Sequence, residues 1–326
     1  MKIIITGGAG YIGSHALKIL HAYGHETLVV DNLSTGHKEF IKWGDFEEVD
    51  ICDLEKLKLI FNSYKADGIL HFAASSIVSE SFERPLKILE NNIYGSLNVF
   101  EAMKYSGVKN IVFSSSCSVY GIPSVNPIKE NTPKNPISPY GESKLFIENA
   151  LDWFDKAKIL KYVVLRYFNA AGADPDGEIG EDHINETHLI PIVLEVASGH
   201  RDKLIIYGAD YPTPDGTCIR DYVHVSDLAT AHLKALEYIL DDGPTIALNL
   251  SNGNGFSVFD VVNATEKITG KTITLQIGDR RIGDPPILVG DPGLANMTLG
   301  WVANFKKLED HIQHAWNWYQ VHKLAL

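Results

Sequence analysis

Apolar runs and helically spaced apolar stripes alternate along the first half of the chain. Lys2-Ile3-Ile4-Ile5-Thr6 is a short β-branched run suited to a strand buried on both faces. Ile12, Ala16, Leu17, Ile19 and Leu20 follow at the spacing of a helix. Further strands are predicted at 26–31, 48–51, 68–74, 110–113 and 161–170, with helices at 54–64, from Pro85 to Tyr105 (closed by Gly107), and from Tyr140 onward. This alternation predicts an α/β fold, a Rossmann-type doubly wound parallel sheet. From Gly172 the composition becomes polar and turn-rich. Helices are then expected from His188, Asp227, Ser257 and Leu308, and strands at 203–207, 220–225 and 247–250. The expected division is a nucleotide-binding domain over 1–171, with a returning segment at about 218–250, and a smaller, discontinuous mixed α/β domain over 172–326.

Between the first strand and its helix lies Gly7-Gly8-Ala9-Gly10-Tyr11-Ile12-Gly13. Unpaired N–H groups and the helix dipole converge at such a junction, which makes it a phosphate site. Gly7, Gly10 and Gly13 follow G-x-x-G-x-x-G spacing, which by itself also fits a plain tight turn. The second strand changes that picture, because it ends in Asp31, about 20 residues past the glycines, where a dinucleotide fold places its ribose-binding carboxylate. Asp31 would accept from the adenosine hydroxyls and repel a 2′-phosphate. Asn32 and Leu33 offer no cation for such a phosphate, so NAD is favoured over NADP. Asp50 and Ile51, read as the end of the third strand, lie where an adenine would. Phe72, Ala73 and Ala74 close the fourth strand with residues small enough for a pyrophosphate to approach. His71 before them reads as a structural histidine.

The 326 residues carry a formal net charge of −12 and no Lys/Arg cluster, which argues against nucleic-acid binding. Cys52, Cys117 and Cys218 show no CxxC spacing and fit a reducing cytoplasm. No apolar run is long enough for a bilayer, and a first strand starting at Lys2 leaves no room for a targeting peptide. No HExxH or Cys/His cluster occurs, so no metal is expected; His311, His314 and His322 read as a solvated helix face.

Tyr140 and Lys144 stand four residues apart, on one face of a helix. A phenol is only about one-thousandth ionised at neutral pH. A nearby ammonium and a nicotinamide's positive charge would lower its pKa; ~3 units corresponds to roughly 4 kcal/mol. A phenol so tuned can take a proton from a sugar hydroxyl and return it. Ser116, in the serine run at a strand's carboxyl end, completes the hydrogen-bond path. Tyr-x-x-x-Lys alone occurs often by chance; its place after the glycine loop and the serine run gives it weight.

These motifs carry a resemblance. TGGAGYIGSH at 6–15, DNLSTG at 31–36, SSSCSVYG at 114–121, PYGESK at 139–144, RYFNAAGA at 166–173, ETHLIP at 186–191, YGADYPTPDGTCIRDYVHV at 207–225 and RRIGD at 280–284 run in order over nearly the whole chain. The chain resembles the extended short-chain dehydrogenase/reductase family, and within it the branch that epimerises UDP-hexoses at carbon 4. The resemblance implies an NAD-dependent interconversion of UDP-galactose and UDP-glucose, by transient oxidation to a 4-keto sugar, rotation and re-reduction. Tyr140 would be the acid/base, Ser116 its partner, and Lys144 the group that tunes the phenol and holds the nicotinamide ribose. Further NAD contacts are implied for Tyr11, Ile12, Thr35, Gly36, Asn91, Ser114, Tyr167 and Phe168. Asn169, His188, Leu189, Tyr207, Arg220, Arg281 and Asp284 would line the UDP site, with Leu288 as a wall of the sugar pocket. Arginines there supply charge-assisted donors to a pyrophosphate and Tyr207 a face for uracil, while Arg280 reads as a surface ion pair. Ser75 and Ser76 depart from the family pattern at a position where some members reach NAD. A homodimer through helices at about 85–105 and 141–157 is implied by similarity only. Dehydratases of this scaffold need an acid pair where this chain has Cys117 and Ser118. A UDP-glucuronate 4-epimerase, using the same Tyr140 and Lys144, stays open, as does an NAD-sensing regulator without activity.

Overall fold

Ile3 and Ile5 of the first strand pack into one hydrophobic cluster and Ile4 into another, so both faces of the strand are covered. The structure is a computed structural model that describes residues 1–281 and 283–323; Ile282 of the RRIGD stretch and residues 324–326 of the second expected domain lie outside the described residues. In chain order the strands are β1 (Lys2–Thr6), β2 (Glu26–Asp31), β3 (Asp45–Glu48), β4 (Gly68–His71), β5 (Asn110–Ser116), β6 (Lys161–Tyr167), β7 (Asn169–Ala171), β8 (Leu204–Tyr207), β9 (Ile219–His224), β10 (Ile246–Leu250), β11 (Gly255–Ser257), β12 (Leu275–Gly278) and β13 (Ile287–Leu288). Seven of them form a parallel sheet in the order β10-β6-β5-β4-β1-β2-β3. This is the Rossmann-type arrangement, and the carboxyl ends of β1, β4 and β5 meet at its centre.

The helices are α1 (Tyr11–Ala22), α2 (Leu54–Tyr64), α3 (Val78–Glu83), α4 (Pro85–Leu89), α5 (Gly95–Ser106), α6 (Pro139–Lys156), α7 (Leu189–Ser198), α8 (Val225–Leu240), α9 (Val258–Thr269), α10 (Gly293–Leu299) and α11 (Leu308–His322). On one face of the sheet α1 and α8 bury Ala16, Leu17 and Leu20 with Ala231, Ala235 and Leu236. On the other, α2, α5 and α6 bury Leu57, Phe61, Val99, Phe100, Ile147 and Leu151. A separate cluster joins Val193 of α7, Val261 of α9 and Ile312 and Trp316 of α11 beside β8. In this part β7, β11 and β13 all pair with β9, and β12 pairs with β8.

Several elements differ from expectation. The third strand is Asp45–Glu48, not 48–51: it is a charged edge strand with no buried residue, so its sequence lacks the apolar run that marks a strand. Asp50 and Ile51 therefore sit in the turn after it. The fourth strand ends at His71, because the Phe72 and Ala73 amides both turn to the Thr6 carbonyl. The run 161–170 divides into β6, in the large sheet, and β7, which leaves it to pair with β9. The helix from Pro85 contains a π-helical turn, Glu90–Tyr94, between α4 and α5. His311 is fully buried and stacks on His224, while His314 Nδ1 lies 3.0 Å from His224 Nε2. Their spacing puts them on the inner face of α11 with Ala315 and Trp318, not in water. His322 stacks on Trp318 and reaches the Gly177 carbonyl.

Candidate active site

The glycine turn is made by close approach. Gly7 has φ +75°, and a Cβ there would stand 2.5 Å from the Ala73 nitrogen; one at Gly13 would meet the Gly7 oxygen at 2.2 Å. At Gly10 only that oxygen, at 3.4 Å, lies within contact range, which leaves the loop open to a phosphate there. Gly36 packs against Ala9, so the 32–36 loop closes over the turn, with Thr35 exposed. Asp31 Oδ2 accepts from the Ala9 amide at 3.0 Å and Oδ1 from the Leu33 amide at 2.9 Å, which keeps the carboxylate aimed and leaves lone pairs for a ribose. Asn32 is tied to Asp50 and brings no cation. A bare phosphate cradle beside an aimed carboxylate fits NAD. Tyr11, at the start of α1, donates to the Gly172 carbonyl at 2.6 Å and so bridges to the segment after β7.

The end of the cleft where the nicotinamide is expected is built by β4, β5 and α6. Phe72 packs on His232, whose Nε2 lies 3.0 Å from Ser114 Oγ. His71 is buried between Thr6 and Ser96, and burial takes its pKa down to about 3, so it is structural. Asn92, in the π-helical turn beside Asn91, accepts from the Ser75 amide and donates to the Ser75 carbonyl and to Ser143 of α6. The position that departs from the family pattern is therefore tied to the catalytic helix through its backbone.

Helix α6 starts where expected because Ser138 caps it, accepting from the Gly141 amide, and Pro139 fills a first-turn position that needs no N–H. That start fixes Tyr140 and Lys144 one turn apart. The Lys144 ammonium donates to the Ser114 carbonyl at 2.7 Å and lies 5.8 Å from the Tyr140 ring centroid. Ser116 Oγ lies 3.1 Å from Ser118 Oγ and accepts from the Ser118 amide at 3.2 Å, and its hydroxyl can turn to donate to the phenol oxygen. The lowering expected of the phenol pKa is absent in the chain alone. Burial pushes Tyr140 well above the ordinary value, and the Ser116 hydrogen bond offsets only part of that. Lys144 is itself pulled down to about 7 by burial, despite Glu148 nearby. Near neutral pH the phenol is therefore protonated and Lys144 carries only part of its charge, so deprotonating the phenol needs positive charge beyond what the chain supplies.

This predicts a pH effect on stability. Lys144 has a folded pKa of about 7 against an ordinary 10.5, so between those values the unfolded chain holds more protons there. Stability therefore rises with pH across this window, and the gain disappears as pH falls to 7. Urea midpoints at about pH 7 and about pH 9 should separate more in wild type than in Lys144→Met. An equal pH dependence in both proteins would contradict the depressed value.

Of the residues expected at the UDP site, Arg220 lies on β9, Asn169 and Leu288 on strands paired with it, Tyr207 at the end of β8 and His188 just before α7. Arg220 forms an ion pair with Asp284, and the Arg281 guanidinium covers the Tyr207 ring at 4.3 Å. Four residues expected to meet substrate thus meet each other first. Arg280 makes the surface ion pair expected of it, with Asp210. Asn169 pairs with Tyr222 in the β7–β9 register, and Leu288 of β13 sits opposite Arg220. Leu288 packs with Val119, Tyr120, Phe168 and Cys117, next to the end of β5. Tyr167 completes β6 opposite Ser116. His188 caps α7 ahead of Leu189, but its Nδ1 faces Glu181 and Glu186. Together with His183 these form a four-residue cluster, a grouping that a search for HExxH misses but the spacing Glu-x-His-x-x-Glu-x-His carries. Arg166 and Glu148 were also missed. They form a buried bidentate pair that locks α6 to β6 and show no periodic signal.

Residues 3–250 match the NAD dependent epimerase/dehydratase family. Over 323 residues the chain is 50% identical to the UDP-glucose 4-epimerase of Lacticaseibacillus casei, covering 99% of this chain and 98% of that one. Among solved structures, the UDP-glucose 4-epimerase from Brucella ovis in complex with NAD is 46% identical, with a TM-score of 0.95 and 97% of each chain covered. The UDP-glucose 4-epimerase from Bifidobacterium longum in complex with NAD+ and UDP is 36% identical, with a TM-score of 0.94 and 100% of each chain covered. The glycine cradle, the seven-stranded sheet and these similarities agree: this chain belongs to the NAD-dependent epimerase/dehydratase family.

Proposed function

We infer that the chain is an NAD-dependent isomerase that inverts carbon 4 of a UDP-hexose, interconverting UDP-galactose and UDP-glucose. The observation that carries this reading is the pairing of a complete Tyr140–Ser116–Lys144 set with Cys117 and Ser118 where an elimination acid would stand. Burial pushes the Cys117 thiol up to about 12, so it gives no acid chemistry near neutral pH. A proton removed at the 4-hydroxyl can then only be returned. Bound NAD supplies reversible two-electron oxidation of that carbon. Tyr140 takes and returns the proton, Ser116 holds the sugar oxygen against the phenol, and Lys144 holds the nicotinamide ribose. Arg220 and Arg281 exchange their present partners, Asp284 and Tyr207, for the pyrophosphate, which frees Asp284 for the uridine ribose and Tyr207 for uracil. The NAD and UDP in the solved relatives support this division of the site.

The sugar must turn over inside the pocket, so a wall residue limits the rotating volume. Leu288, beside Cys117 and Phe168, is short enough to admit an N-acetyl group. The test is to incubate purified protein with UDP-galactose, UDP-N-acetylglucosamine and UDP-glucuronate in parallel and analyse the product sugars. Epimerised UDP-glucose without free NADH is expected; stoichiometric NADH would indicate a net dehydrogenase and sink the reading. Leu288→Tyr should lower kcat/KM for the N-acetylated sugar selectively, and unchanged discrimination would remove Leu288 from the wall.

A homodimer and a cytoplasmic setting belong to the same reading. Phe82, Leu86 and Tyr94 are exposed, as are Phe146 and Trp153 of α6, and α3 and α4 pack on α6. Exposed apolar side chains on helices that meet are a surface a second copy could cover, which supports the dimer reading. The three free cysteines suit a reducing compartment, and among the described residues no helix is long and apolar enough to cross a membrane.

A further inference from the structure

We propose that Glu181, His183, Glu186 and His188 form a zinc site that clamps the segment between β7 and α7. Four donor atoms converge there, all within 4.8 Å of one another. His188 Nδ1 lies 2.9 Å from an oxygen of Glu181 and 2.9 Å from one of Glu186; His183 Nδ1 lies 3.4 Å and 3.3 Å from the same two carboxylates. A ring Nδ1 carries at most one hydrogen, so it cannot serve two carboxylates at such distances equally well. Zinc bonds of about 2.0–2.2 Å place tetrahedral donors roughly 3.3 Å apart. The histidine–carboxylate distances of 2.9 to 3.4 Å are close to that, with two different oxygens of Glu186 facing the two rings, and one donor atom per residue lies within 4.8 Å of the others. Two imidazoles and two carboxylates are a donor set that suits this ion, and the carboxylates neutralise its charge.

The Glu181 side chain is an independent sign. It is 7% exposed, and its oxygen faces only the two imidazole nitrogens. Among the described residues no backbone amide or hydroxyl donates to it. Glu186 is equally buried but is oriented by the Thr187 and His188 amides, both at 2.8 Å, as the outer shell of a metal site orients a ligand. The Asp182 carboxylate is paired instead with Lys323 and, at 3.7 Å, with His37, and it is not part of the cluster. The neighbouring carboxylates Asp174, Asp176 and Glu178 already converge on the Lys18 ammonium and need no metal. An ion at the cluster would fix His188 as the cap of α7 and so position Leu189 at the UDP site, on the far side of the Tyr11 bridge.

The experiment uses the untagged full-length chain, stripped with a chelator and titrated with zinc chloride by calorimetry, with thermal melting in parallel. One zinc per chain and a higher melting temperature are expected, with magnesium chloride giving neither. His183→Gln and the near-isosteric Glu181→Gln should each weaken zinc binding by at least about 100-fold, above the range for outer-shell losses. Asp176→Asn should leave it unchanged. NAD binding by the stripped variants checks that they are folded. Absence of saturable zinc binding in wild type overturns the proposal, as does equal affinity in wild type and both variants.

Discussion

Tyr140→Phe is expected to lower kcat by ~10² to 10⁴ while leaving NAD and UDP binding nearly intact. The change removes one oxygen from a buried ring and keeps its volume, so the packing of α6 on β5 survives. Ser116 keeps its bond to Ser118 and Lys144 its bond to the Ser114 carbonyl, since neither depends on the phenol. What disappears is the group we propose takes a proton and gives it back on the same oxygen. The measurement is kcat with UDP-galactose, alongside calorimetric binding of UDP. Residual activity above about a tenth of wild type would take Tyr140 out of the general acid/base role.

Arg166→Leu is expected to cost ~3–5 kcal/mol of stability, the usual loss when one partner of a buried ion pair is removed. Arg166 Nε and Nη2 bind Glu148 at 2.9 and 2.7 Å, and Nη1 binds Tyr120 at 2.9 Å. Glu148 also accepts from Ser115 at 2.6 Å and has Lys134 at 3.6 Å, so losing Arg166 leaves its buried carboxylate to a more distant, partly exposed cation. The double variant Arg166→Leu with Glu148→Leu should recover part of the loss, because no lone charge then remains buried. Urea unfolding of the three proteins measures this. A single-variant loss under about 1 kcal/mol would mean that water reaches the pair and it acts as a surface one.

What the chain announces in advance is whatever rests on local repetition. β1, β2 and α2 are legible because alternation or a helical stripe coincides with burial, and the glycines because close backbone contact excludes every other residue. β3 was misplaced because an edge strand needs only its backbone to pair, and Asp45-Phe46-Glu47-Glu48 advertises nothing else. His311 and His314 share a helix with charged neighbours, and only the fold reveals that His224 waits on the inner side. The phenol pKa was misjudged for a related reason. Spacing brings Lys144 to Tyr140's face, but it does not show that burial raises the phenol and takes Lys144 down to about 7, nor that the lysine is directed to the Ser114 carbonyl, thirty residues away in sequence. Arg220 with Asp284 and Arg281 with Tyr207 were placed by resemblance to the family; no spacing predicts that they pair.

The π-helical turn at Glu90–Tyr94 has a consequence for how this stretch tolerates change in length. Each α-helical residue advances the chain by about 100°, and a π turn inserts one residue beyond the regular count. It therefore acts as a phase shifter between two helices with different neighbours, α4 facing α6 and α5 facing α2. Asn92 sits at the point of the shift, which lets one side chain serve both the Ser75 backbone and Ser143. Deleting Glu90 or Asn91 would restore a regular helix and turn Asn92 by about 100° relative to α4, off those partners. Side chains here can be exchanged more safely than the count of residues can be altered.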